Sequence, residues 1–393
     1  MYKILIDDKI PFIRGVFEPF ADVEYLNGSD INAGNLRDAD ALIVRTRTHC
    51  NEKLLANSQI KYIATATIGF DHIDTDFCRK RGISWTNAPG CNAASVQQYI
   101  ASALFFLQKN QKINLSKSTI GVVGVGNVGK LVVEFCKNIG MHVLQNDPPR
   151  QIAETSPLPC GEGLGEGSEF VDLNEIAENC DIITFHTPLN TGTFHLANKA
   201  FFEKLKKKPL IINTARGEII DTEVIKNARK ENLISGIVLD CWENEPQIDT
   251  ELLSMCDIAT PHIAGYSADG KANATTACVR YISRCLGLGL DDWSVSEIPQ
   301  PAEPVYHCEL RSVSEVELRS VSEVELQKAI LHSYNIEEDS LKLKNNPNDF
   351  EFFRNYYPLR REFPAFFVEG ENTELRLLSV VELLQKIGFR HTK

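Results

Sequence analysis

Short apolar or alternating runs, bounded by turn residues, take turns with segments of helical period along most of the chain. Residues 2–6, 22–26, 40–45, 61–65 and 83–87 read as strands. Residues 11–20, 51–57 and 74–81 read as helices between them, and Ala93 to Asn110 as a longer apolar-periodic helix that crosses into a second domain. The alternation then resumes. Strands are expected at 120–123, 141–145, 181–185, 210–213 and 236–240, with helices at 130–139, 173–179, 199–206 and 222–231. Strands separated by helices in this way predict a doubly wound, parallel α/β fold. Ala268 to Leu286 reads as a helix returning to the first domain.

The second alternating block opens on a glycine motif. Gly124, Gly126 and Gly129 have the G-x-G-x-x-G spacing, directly after the apolar run Ile120 to Val123 and before a predicted helix. The first glycine permits a tight turn, the second lets a pyrophosphate approach the backbone, and the third lets the helix pack close to the strand. With Asn127 and Val128 they offer unpaired N–H groups and a positive dipole end to phosphates. Asp147 follows eighteen residues after Gly129, at the end of the next strand. A carboxylate there accepts both ribose hydroxyls and repels a 2′-phosphate, so the expected cofactor is NAD.

Two stretches interrupt the pattern. Residues 156–168 are rich in Gly and Pro without periodicity, and read as a surface insertion. Leu310 to Glu317 is repeated without change at Leu318 to Glu325. Two copies are too few for a solenoid, and eight residues match neither the heptad nor the 3.6 period. The duplication is therefore read as a surface insertion within a linker over 291–327, leaving residues 328–393 as a small C-terminal domain.

Composition narrows the function classes. The 393 residues suffice for two or three domains, and 43% hydrophobic with 24% charged residues is ordinary for a globular protein. No apolar run is long enough to span a bilayer, and the start has no signal-peptide layout. Eleven scattered cysteines with no C-x-x-C pair suggest a reduced, cytoplasmic protein without a structural metal. A net charge of −12 argues against nucleic acid or membrane as partner. An anionic substrate must then be held by a local group of bases.

Three polar residues fall at strand ends of the second block, where open α/β sheets hold ligands: Arg216, Glu245 and His262. Each alone has an ordinary reading as a flanking or loop charge. In this order, after a nucleotide loop, they make the chain resemble the D-isomer-specific 2-hydroxyacid dehydrogenases over residues 1 to about 290. The segments 64–74, 87–96, 146–150 and 262–267 narrow the resemblance to a branch acting on a small phosphorylated hydroxy acid. The Tyr357 to Phe363 segment is similar to that branch's C-terminal dimerisation domain.

The resemblance implies a Rossmann-type NAD domain over 96–264. It also implies a flavodoxin-like α/β substrate domain over 1–95 plus about 265–290, and an α+β dimerisation domain over 328–393. It implies that His262 is the base, that Glu245 fixes its tautomer, and that Arg216 binds the substrate carboxylate. Thr46, Thr67 and Tyr266 would contact substrate. Thr187, Thr214, Ala215, Asp240 and Gly265 would join Asp147 around the cofactor, and the protein would be a homodimer. Arg45 and Arg47, two apart after an apolar strand, are the first candidates for the substrate's phosphate, with Arg360 and Arg361 next. Hydride transfer needs no metal. Two alternatives stay open: another dehydrogenase of the family, such as one acting on 3-phosphoglycerate, or a non-catalytic NAD(H)-sensing corepressor.

Overall fold

The computed structural model describes residues 1–155, 170–308, 315–369 and 375–391. The expected Gly/Pro-rich insertion at 156–168 lies outside the described residues, as does most of the first octad. The described residues divide into two compact units, 1–93 with 266–299, and 94–265 with 300–393. No described helix is long and apolar enough to cross a membrane.

The first unit holds a parallel sheet of β1 (Lys3–Asp7), β2 (Asp22–Leu26), β3 (Ala41–Val44), β4 (Tyr62–Thr65) and β5 (Ser84–Thr86), in the order β2-β1-β3-β4-β5. That order is the flavodoxin-like one. Ile4, Ile6, Ala41 and Ile43 bury one face against Cys278, Val279 and Ile282 of the helix Ala268–Leu286. Ser267 caps that helix by accepting the Gly270 amide at 2.8 Å, and Gly287 closes it in the left-handed conformation. The helix expected at 11–20 does not form. Pro11 and Pro19 cannot donate, Phe12 and Gly15 have φ of +63° and +82°, and the segment is a run of turns that still buries Ile13 and Phe17.

The second unit holds a six-stranded parallel sheet in the order β11-β10-β9-β8-β6-β7. Its strands are β6 (Thr119–Val123), β7 (His142–Asn146), β8 (Ile182–Phe185), β9 (Leu210–Asn213), β10 (Gly236–Leu239) and β11 (Ile258–Ala259). The chain reverses its direction of progress between β6 and β8, which is where such sheets open a crevice for ligands. Residues 300–393 share this unit's core. Leu326, Ala329, Ile330, Phe363 and Val368 lie in one cluster with Tyr99, Leu104, Ile120 and Val122. A small parallel sheet of β12 (Val305–His307), β13 (Phe367–Glu369) and β14 (Arg390–His391) completes the region.

The helix Glu315–Ser333 takes in the second octad, which the sequence pattern assigned to a linker. Its last residue, Glu325, is buried, accepting from the Tyr306 hydroxyl and from Lys328, each at 2.8 Å. The octad's own period is a poor guide here, because the helix is held by apolar residues just beyond it. The edge strand β11 is covered as well, since Ala259 N donates to Ser340 Oγ at 3.0 Å.

Candidate active site

The glycine loop follows β6 directly. Gly124 has φ +88°, and a Cβ there would meet the His186–Thr187 backbone at 2.8 Å. A Cβ on Gly129 would lie 1.9 Å from the Gly124 carbonyl oxygen, so the first turn of the helix Asn127–Asn138 fits only with glycine. Gly126 differs: a Cβ there meets nothing within 4 Å. It is also the N-cap of that helix, with no side chain satisfying the helix's first N–H groups. Asn127 is exposed and Val128 half-buried. Thr187 Oγ1 is buried with no hydrogen-bond partner among the described residues. An open glycine, an uncapped helix terminus and an orphaned hydroxyl fit a dinucleotide.

Asp147, half-buried at the end of β7, accepts from Val125 N at 2.8 Å and from Arg150 N at 3.1 Å. It therefore ties the loop to the start of the helix Pro148–Thr155, a helix the sequence pattern missed. Thr214 Oγ1 lies 3.3 Å from His186 Nδ1, and Thr184 Oγ1 lies 3.0 Å from Nε2. Burial pushes the His186 imidazole down to about 3, so it is a neutral prop for Thr214. Ala215 N donates to Asn213 Oδ1 at 3.0 Å, and Asn213 Nδ2 donates to the Arg216 carbonyl at 2.7 Å. Asn213 thus shapes the turn that presents Arg216. An asparagine ending an apolar strand was the available signal for it.

The expected pair is formed: His262 Nδ1 lies 2.8 Å from Glu245 Oε2, and Glu245 Oε1 accepts from Trp242 N at 2.9 Å. Burial alone would push the Glu245 carboxyl up. The His262 imidazole, the Trp242 N–H and the Arg354 guanidinium outweigh it and hold the carboxyl below its ordinary value. Arg354 Nη1 is 3.7 Å from Glu245 Oε2. Nothing in the sequence pattern pointed to Arg354. Cys241 Sγ, a Glu245 oxygen and a His262 ring nitrogen lie within 4.8 Å of one another. The thiol donates to Ala215 O at 3.4 Å and burial raises its pKa well above its ordinary value, so it is a neutral neighbour of the pair.

His262 has φ +56°, a conformation that needs external support in a residue other than glycine. Asp240, 1% exposed, gives that support. Its Oδ1 accepts from Thr260 Oγ1 and Ile263 N, both at 2.7 Å, and its Oδ2 from Ala264 N at 2.8 Å. The carboxylate expected near the cofactor thus organises the loop that carries His262. Gly265 follows in the same loop.

In the first unit, Arg45, Thr46 and Arg47 leave β3 in a turn closed by Thr48 N to Arg45 O at 3.2 Å. Strand alternation therefore does not set their directions; Arg45 is half-buried and Arg47 exposed. Thr67 Oγ1 donates to Gly69 O at 2.8 Å and lies 2.7 Å from Thr65 Oγ1, which also contacts His72 Nε2 at 2.9 Å. The Lys271 ammonium sits 5.2 Å from the Tyr266 ring centroid. In the second unit, Arg360 and Arg361 are 5% and 8% exposed. His195 pairs with Glu243 at 2.7 Å on a cleft of about 490 Å³ lined by four carboxylates.

Comparison with known proteins supplies the rest. Residues 93–264 match the NAD-binding domain of the D-isomer-specific 2-hydroxyacid dehydrogenases, and residues 309–388 match a domain of unknown function. An erythronate-4-phosphate dehydrogenase of Bacteroides fragilis is 47% identical over 369 residues, covering 93% of this chain and 98% of that one. Its namesake in Escherichia coli is 35% identical over 399 residues, covering 98% of both. A D-lactate dehydrogenase from Aquifex aeolicus, solved with NAD and lactic acid, shares the fold. Its TM-score is 0.60 at 24% identity, over 73% of this chain and 96% of that one.

Proposed function

The chain belongs to the D-isomer-specific 2-hydroxyacid dehydrogenases, alongside the erythronate-4-phosphate dehydrogenases, and from that premise we propose the reaction and the residues that carry it. The protein is an NAD-dependent dehydrogenase that oxidises 4-phospho-D-erythronate to (R)-3-hydroxy-2-oxo-4-phosphooxybutanoate, a step in pyridoxal 5′-phosphate biosynthesis. The observation that carries this reading is the His262–Glu245 pair at 2.8 Å, on loops that follow strands of the same sheet as an open, uncapped glycine loop.

NAD, when bound, supplies the hydride acceptor. Gly124, Gly126, Asn127, Val128, Gly129 and Thr187 would hold it, with Asp147 taking the ribose hydroxyls and Thr214, Ala215 and Gly265 lining the nicotinamide side. Neutral His262 takes the proton from the C2 hydroxyl at Nε2. Glu245, kept ionised, holds Nδ1–H and balances the imidazolium that forms. Arg216 grips the substrate carboxylate and steadies the growing carbonyl dipole. Thr46, Thr67 and Tyr266 contact substrate, and Arg45 or Arg47 holds the phosphate.

We also read the protein as a cytoplasmic homodimer. Phe352, Tyr356 and Leu359 expose apolar surface within residues 300–393, and light scattering reads the assembly directly. The test of function is turnover of 4-phosphoerythronate with NAD, against erythronate and 3-phosphoglycerate. Loss of the phosphate should lower kcat/KM roughly a hundredfold, at about 1.5–3 kcal/mol per charged hydrogen bond. His262→Ala should lower kcat by about 10²–10⁴-fold with NADH binding kept. Equal use of the three acids, or an active His262→Ala, would refute the reading.

A further inference from the structure

The residues around Glu245 and His262 come from two distant parts of the sequence. One is the set of strand-end loops described above. The other is the region over 309–388, which matches a domain of unknown function.

This region reaches the pair by two routes. The helix Phe350–Asn355 is anchored by buried Phe350, with Phe353 packed against the same core as Trp242 and Ile248. One turn on from Phe350, Arg354 brings Nη1 to 3.7 Å from Glu245 Oε2, the oxygen that faces His262. The second route is Arg360. Its Nη2 donates to the carbonyl of Ala264 and to Ser95 Oγ, and Ser95 Oγ donates to the same carbonyl at 2.8 Å. Arg360 is stacked 4.4 Å from the Tyr334 ring centroid. The His262 loop is thus held by Asp240 at its amides and by this region at its carbonyl.

We propose that the C-terminal region is a working part of the catalytic centre, in which Arg354 is a positioning residue that sets how firmly Glu245 holds the His262 imidazolium. This rests on His262 being the base. Arg354 and His262 approach the same Glu245 oxygen, at 3.7 and 2.8 Å. Arg354 competes for that oxygen and adds a positive charge beside the pair, so it favours ionised Glu245 and disfavours protonated His262. The other charged groups acting on this pocket are Arg216 and Asp240, with the neutral Cys241 thiol beside them. Because oxidation needs neutral His262, Arg354 keeps the enzyme active to lower pH than the bare pair would allow.

The experiment is the pH profile of kcat/KM for oxidation in Arg354→Gln and Arg354→Lys. The Arg354 side chain is 29% exposed, so its charge is part-screened. Arg354→Gln should move the acid limb up by about half to one pH unit, with NADH affinity unchanged. Arg354→Lys, which keeps the charge, should return the limb most of the way to wild type. A merely structural role would lower the yield or Tm of Arg354→Gln and leave the limb in place, which overturns the proposal. Equal shifts in both variants overturn it too. His262→Ala is the control: if it stays active, the underlying reading has failed, whereas an inactive His262→Ala with an unmoved Arg354→Gln profile rejects this inference alone.

Discussion

Asp240→Asn separates a loop anchor from a cofactor ligand. The Asp240 carboxylate is buried and accepts from Thr260 Oγ1, Ile263 N and Ala264 N at 2.7–2.8 Å. An asparagine oxygen can keep the first two, which share Oδ1. Its NH₂ then faces the Ala264 amide, donor against donor. A buried unpaired donor costs about 1–3 kcal/mol, and removing the charge weakens each remaining bond by about 1 kcal/mol. The sum, about 3–5 kcal/mol, is a large share of the roughly 5–15 kcal/mol that stabilises a domain. The Tm should fall by roughly 6–15 °C. The loop that holds His262 at φ +56° loses its anchor, so kcat should fall about tenfold or more in the still-folded protein at low temperature. Differential scanning fluorimetry, an NADH fluorescence titration and initial rates read the three quantities. NADH Kd should change by less than about threefold, because all three bonds lie within the protein. A tenfold weaker NADH affinity with an unchanged Tm would refute this and return Asp240 to the cofactor.

The glycine loop offers a contrast within one motif. Gly126→Ala should leave Tm near wild type and weaken NAD binding about tenfold or more, since its Cβ points into open space where phosphate would lie. Gly129→Ala should lower Tm sharply, its Cβ colliding with Gly124 O; equal Tm values for the two would rule the distinction out. The pH dependence of stability follows from His72, buried against Thr65 and pushed down to about 4 by burial. Its folded pKa lies below the unfolded value of 6.5, so the unfolded chain binds the extra proton and stability declines as pH drops from 6.5 towards 4. That loss is at most about 3 kcal/mol. Urea unfolding at pH 7 and 4.5 should show a smaller loss in His72→Gln than in wild type, and equal losses would mean that His72 does not titrate in this way.

What the sequence determined by itself is what local chemistry can carry. Parallel strands announce themselves as short apolar runs, and Gly124, Gly126 and Gly129 mark a turn whose spacing has few other uses. The strand-end placement of Arg216, Glu245 and His262 was legible, because each follows an apolar run that forms a strand. What was not legible has two causes, local limits on the backbone and partners far apart in the chain. Residues 11–20 have enough apolar positions for a helix, but the backbone obeys two prolines and a left-handed Gly15. Asp240 was assigned to the cofactor by resemblance alone; its buried carboxylate takes donors from residues 260–264, a set of partners that no apolar run or spacing marks. Residues 328–393 read as a small domain because the octads interrupt the pattern, and their apolar residues lie in one cluster with Tyr99 and Ile120, a neighbourhood no local pattern announces. Arg354 carried no local mark at all. A surface arginine and an arginine beside a half-buried carboxylate can have the same neighbours in sequence, and only the packing of Phe350 into the sheet's core tells them apart.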